Sequence, residues 1–148
     1  MNFTDQEKIA IVSLLIEMAN ADQRIAYEEM ITLNLICQKL EIDHNSFVVG
    51  HGLKCEHAIE ILKTINDEKK KELAKLMVEI IDSDNQVDDT EIELLNYACK
   101  KIGIDLLFWF FNSFVVKNWA FAQIITSISW LFRLNSIILH SIIDNTTE

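Results

Sequence analysis

Two stretches decide the fold: IAIVSLLIEMANADQRIAYEEMITLNLICQKLEID, residues 9–43, and KELAKLMVEIIDSDNQVDDTEIELLNYACKKIGID, residues 71–105. Sliding the chain by 62 lays one over the other, and ten positions then match. They are Leu14/Leu76, Glu17/Glu79, Asp22/Asp84, Glu29/Glu91, Leu33/Leu95, Asn34/Asn96, Cys37/Cys99, Lys39/Lys101, Ile42/Ile104 and Asp43/Asp105. Ile16/Val78, Ile25/Val87 and Met30/Ile92 keep apolar character without identity. Each copy reads as a helix, an acidic turn and a second helix, and no strand pattern competes with it.

The helix bounds follow from caps and spacing. Thr4 with Glu7 makes a capping box that opens a helix running to about Ala19. Its residues Ile9, Val12, Leu15, Ile16 and Ala19 recur at helical spacing, which predicts the core-facing side. A second helix is expected from about Ala26 to Leu40, with short ones around 45–50 and 55–65. Asn66 or Asp67 starts the next, which reaches about Ile81 and carries Lys69, Lys70 and Lys71 as a solvated run. Asp88 with Glu91 is a further capping box, and its helix stops before Gly103.

Composition agrees. The 148 residues include no proline and three glycines, too few turn formers for a sandwich or barrel. Gly50, Gly52 and Gly103 make neither a phosphate loop nor a dinucleotide fingerprint. The expected fold is all-α, a pseudo-two-fold duplicated helix–acidic turn–helix bundle of about seven or eight helices. Net charge is −10, which repels nucleic acid and favours cations or basic partners. MNFTDQEK has no basic leader region, and three cysteines cannot all pair, so a reducing cytoplasm is the expected setting. Residues 1–105 hold 21 of the 23 acids and 11 of the 13 bases, whereas residues 106–143 carry only Lys117 and Arg133 as charges. A boundary is therefore expected near Asp105, between a domain at 1–105 and an apolar, aromatic-rich helical segment at 106–148.

The second acidic turn, DSDNQVDDTEIE at residues 82–93, has six acids among twelve residues and no base. Crowded carboxylates repel unless water, salt or a bound cation relieves them, and hard cations take oxygen ligands. The first turn, NADQRIAYEE at 20–29, sets Arg24 against Asp22, Glu28 and Glu29. An EF-hand would place Asp82, Asp84, Asp88 and Glu93 at loop positions 1, 3, 7 and 12. Gln86 and Val87 then stand at positions 5 and 6, where that loop needs an oxygen ligand and a glycine. Two readings stay open for the rest. Glu29 and Glu91 are third residues of helices, where a glutamate caps the helix start, and Asp22 and Asp84 suit turns. The same acids suit a divalent cation.

The paired stretches ANADQRIAYEEM, residues 19–30, and IDSDNQVDDTEIEL, residues 81–94, resemble the TerB-like domains of tellurite resistance proteins, also found at the front of a DnaJ-type co-chaperone. The resemblance covers about residues 5–105. It rests on an aspartate, a short spacer with one apolar residue, and a glutamate seven after the aspartate. Here these are Asp22, Ile25 and Glu29, then Asp84, Val87 and Glu91. The family's glycine after each aspartate is replaced by Gln23 and Asn85, of which asparagine adopts the left-handed conformation more readily. The resemblance implies an all-helical, non-catalytic stress-response module that binds divalent metal (Ca²⁺, Mg²⁺, Mn²⁺ or Zn²⁺). Its expected metal residues are Asp22, Glu29, Asp84 and Glu91, with Asp82, Asp88 and Asp89 as auxiliaries. No organic cofactor is expected, and the partners are proteins.

Other groupings carry less. His44, His51, Cys55 and His57 match no standard zinc spacing and read as a solvated connection. Cys37 and Cys99 read as buried packing residues. The segment 106–148 holds all three tryptophans, yet its longest charge-free stretch, 118–132, falls short of the roughly 20 residues a spanning helix needs. Core helices, an interfacial membrane anchor through 106–143 at the inner face of the membrane, and an aberrant tail all remain open. The alternative to metal binding is a metal-free scaffold with an acidic docking face and a membrane-associated C-terminal segment.

Overall fold

The computed structural model describes residues 2–21, 23–83 and 88–105, and within them the chain is all-α. Six helices follow one another among the described residues: α1 Asp5–Ala19, α2 Tyr27–Lys39, α3 His44–Gly52, α4 Cys55–Leu62, α5 Asp67–Asp82 and α6 Asp89–Ile102. Any further helices of the expected seven or eight, and every expectation for 106–148, lie outside the described residues. No helix among the described residues is long and apolar enough to cross a membrane.

Helix α1 is the centre, and it packs against all five of the others. Its predicted inner face was too narrow. Ile9 and Ile16 are half-buried, while Ala10, Ile11, Val12, Ser13, Leu14, Leu15, Met18 and Ala19 are all buried. The reason is the unbroken run from Ile9 to Ile16, in which only Ser13 is polar. A helix that is apolar all round belongs inside rather than at the surface. Ser13 is accommodated because its hydroxyl donates to the Leu53 carbonyl, 2.9 Å away, at the bend between α3 and α4. A buried hydroxyl needs such a partner.

The 62-residue offset governs where helices start and stop. Helices α1 and α5 begin at Asp5 and Asp67, and α2 and α6 at Tyr27 and Asp89, so both pairs keep it. It also reaches back beyond residue 9, since Asp5 matches Asp67 and Lys8 matches Lys70. The C-terminal closures repeat as well. The Ile42 N–H donates to the Cys37 carbonyl and the Ile104 N–H to the Cys99 carbonyl, each at 2.8 Å. This closure requires a left-handed residue just before the donor. Gly103 takes it at φ 84, but in the first copy the residue is Glu41, at φ 53. A left-handed conformation costs a residue with a Cβ about 1–2 kcal/mol. Glu41→Gly is therefore expected to raise stability, and Gly103→Ala to lower it, each by about 1 kcal/mol. Urea denaturation of both variants beside the wild type checks the opposite signs.

The lysine run at the start of α5 is not uniformly solvated. Lys71 is exposed, but Lys69 is largely covered and pairs with Glu7 at 2.7 Å, with side-chain exposures of 15% and 14%. Lys69 also lies 5.7 Å from the centroid of the Phe3 ring, within reach of a cation–π contact. Burial would raise the Glu7 pKa. The Lys69 ammonium and the Thr4 backbone N–H outweigh it and hold the carboxyl below its ordinary value.

Helix α3 reaches the core by a close approach. A methyl group built on Gly50 would lie 2.7 Å from Val12 Cβ and 2.8 Å from the Ile9 carbonyl oxygen. Only glycine lets the two helices meet at that spacing.

Candidate functional site

Each acidic turn runs into a helix whose third residue is a glutamate, and that position fixes the side chain. In α2 the Glu29 Oε2 accepts from the Ala26 N–H at 2.8 Å. In α6 the Glu91 Oε2 accepts from the Asp88 N–H at 2.9 Å. Both glutamates are only 2% exposed. A carboxylate there also meets the positive end of the helix dipole, which offsets part of its desolvation.

The two caps are not equal. Asp88 returns the bond by accepting from the Thr90 N–H at 2.8 Å, and it also accepts a hydrogen bond from the Thr90 hydroxyl. Ala26 has no side-chain acceptor, so at α2 only the glutamate half of the arrangement exists. The second copy is thus more fully tied down by side chains.

The other sequence-predicted residues divide as follows. Asp82 is the last residue of α5 and half-buried; Asp88 is the N-cap of α6 and Asp89 its first residue, both exposed. Asp22 and Asp84 lie outside the described residues. Among the described residues, no three of the histidine, cysteine, aspartate and glutamate side chains are grouped so as to hold a metal ion. That applies equally to His44, His51, Cys55 and His57. They lie on α3 and α4 rather than on an irregular connection, with the three histidines exposed.

Gln23 was the residue expected to resist the left-handed conformation of the family's glycine. It adopts that conformation, at φ 65. Residue 23 therefore has the backbone conformation a glycine would give, with a strain of about 1–2 kcal/mol held by its surroundings.

The cysteines are chemically quiet. Burial pushes the Cys99 thiol up to about 12 and raises that of Cys37. Cys55 is pushed up to about 11 by burial, with the carboxylates of Glu17 and Glu56 adding to it. Since the thiolate is the reactive form, iodoacetamide at pH 8 is expected to leave Cys37 and Cys99 unmodified for hours in the folded protein. All three should react within minutes in denaturant, and mass spectrometry reads the difference. Raised thiol values also have a sign for stability. The folded state keeps these protons more tightly, so the contribution is complete below the ordinary thiol pKa and is lost as pH climbs toward 11–12.

Sequence reasoning missed an apolar ridge on α2. Tyr27, Ile31 and Leu35 recur every fourth residue and are all exposed, with Met30 beside them. At the positions 62 further on, α6 carries Asp89 and Glu93 in place of Tyr27 and Ile31. Met30 is 58% exposed, whereas its counterpart Ile92 is 2% exposed. Helix α4 packs against α6. The spacing was available in the sequence, but the choice between inward and outward faces needed the position of α1.

No protein-family model matches the chain, and no curated protein sequence matches it. Its fold is similar to the crystal structure of a protein of unknown function, PG1108 from Porphyromonas gingivalis W83. The TM-score is 0.59 and the identity 24%, over 71% of this chain and 83% of that one. At that identity the likeness is one of fold, and the chain shares an all-helical architecture with a protein whose activity is itself unassigned.

Proposed function

We propose that this chain is a non-catalytic, TerB-like stress-response module of the tellurite resistance type. In this reading a duplicated helical bundle binds a divalent cation through its paired acidic turns and acts through protein partners in the cytoplasm. The observation that carries it is the recurrence of one device. A buried glutamate, Glu29 or Glu91, stands third in the helix that leaves each acidic turn, at matching places in the repeat. Gln23 in the left-handed region supports the same reading, because the family has glycine there. The expected ligands are Asp22, Glu29, Asp84 and Glu91, with Asp82, Asp88 and Asp89 around the second turn. Glu29 and Glu91 each use one oxygen on the helix start, so they would serve by positioning as well as by charge. A cation held only by the folded turns stabilises them by linkage.

The test is a thermal melt of the full chain titrated with Ca²⁺, Mg²⁺, Mn²⁺ and Zn²⁺ in turn. At a hundred times the dissociation constant the gain is about 2.7 kcal/mol, which for a domain of this size is roughly 10 °C or more. Asp84→Asn combined with Glu91→Gln is expected to remove the rise. The baseline of that variant will be lower because the α6 cap is weakened, so the metal-induced shift is the quantity compared. A melting temperature that no ion moves would dismiss the cation.

A metal-free docking module is the second reading, favoured by the apolar ridge of Tyr27, Ile31 and Leu35 on a chain of net charge −10. Partner binding that survives chelation would favour it over the first.

A further inference from the structure

We draw no further inference here: the strongest candidate, the outward apolar ridge of Tyr27, Met30, Ile31 and Leu35 on α2, carries nothing beyond the reading above because nothing in the structure shows what covers it.

Discussion

Leu14→Ala is expected to cost about 3–5 kcal/mol, a large share of the stability of a domain this small. Leu14 is fully buried on α1, which packs against all the other described helices. Truncation removes its transfer free energy and leaves a cavity that five surrounding helices cannot all move to fill. Core Leu→Ala changes fall at about 2–5 kcal/mol, with the upper end where the site cannot collapse. Total stabilities of single domains are only about 5–15 kcal/mol, so the loss should lower the urea midpoint strongly. The comparison is Leu35→Ala on α2. Leu35 is 59% exposed, and its truncation should change stability by less than about 0.5 kcal/mol. Urea midpoints of the two variants are the measurement. Equal losses would mean that the assignment of inward and outward faces is wrong.

The second large effect concerns Gly50, where two local rules oppose each other. Alanine is the better helix former by about 1 kcal/mol, so a sequence-only view predicts that Gly50→Ala stabilises α3. Packing predicts the reverse. The new methyl would sit 2.8 Å from the backbone oxygen of Ile9 and 2.7 Å from Val12 Cβ, neither of which is the free end of a flexible side chain. Helix α3 must lift away from α1, and forced overpacking costs about 1–3 kcal/mol. A net loss of about 1–2 kcal/mol is expected for alanine and a larger one for Gly50→Val. Gly52→Ala is the control, since a Cβ there meets nothing within 4 Å. It should be neutral or gain up to about 1 kcal/mol. Thermal melts of the three variants decide between propensity and packing. If Gly50→Ala raised the melting temperature, the close approach of α3 to α1 would be in error.

How much was legible beforehand depends on the range of the interaction. Caps are local, and they were read correctly. Thr4 with Glu7, Asp88 with Glu91 and the stop at Gly103 all sit where the expected boundaries put them. The offset of 62 was equally legible, because it needs only letters compared with letters. What depended on neighbours far along the chain was misread. Lys69 looked like one of three solvated lysines until the fold brought Glu7 of α1, and Phe3 just ahead of that helix, beside it. Ile16 and Ile9 fit a helical stripe, but a helix packed against five others buries more than one stripe, and so Ala10, Ile11 and Met18 lay outside the expected face. Gly50 was dismissed for lacking a phosphate-loop pattern, when its importance lies in the helix it touches.

The candidate site divides along the same line. The capping parts of Glu29 and Glu91 follow from their position three residues into a helix, and both are found on their expected backbone N–H groups. Their near-complete burial does not follow from position, because it is produced by the packing of α2 and α6 around the bundle. The unequal N-caps, Ala26 against Asp88, were readable from the sequence.

Glu7 and Lys69 occupy corresponding places in the two copies and touch each other. A two-fold rotation relating the copies would have its axis through that contact. Two separate, identical polypeptides meeting there would set carboxylate against carboxylate or ammonium against ammonium. Tandem linkage removes that constraint, because one gene segment can change sign while its twin does not. The opposite charges at this point are something a self-associating single copy has no means of acquiring.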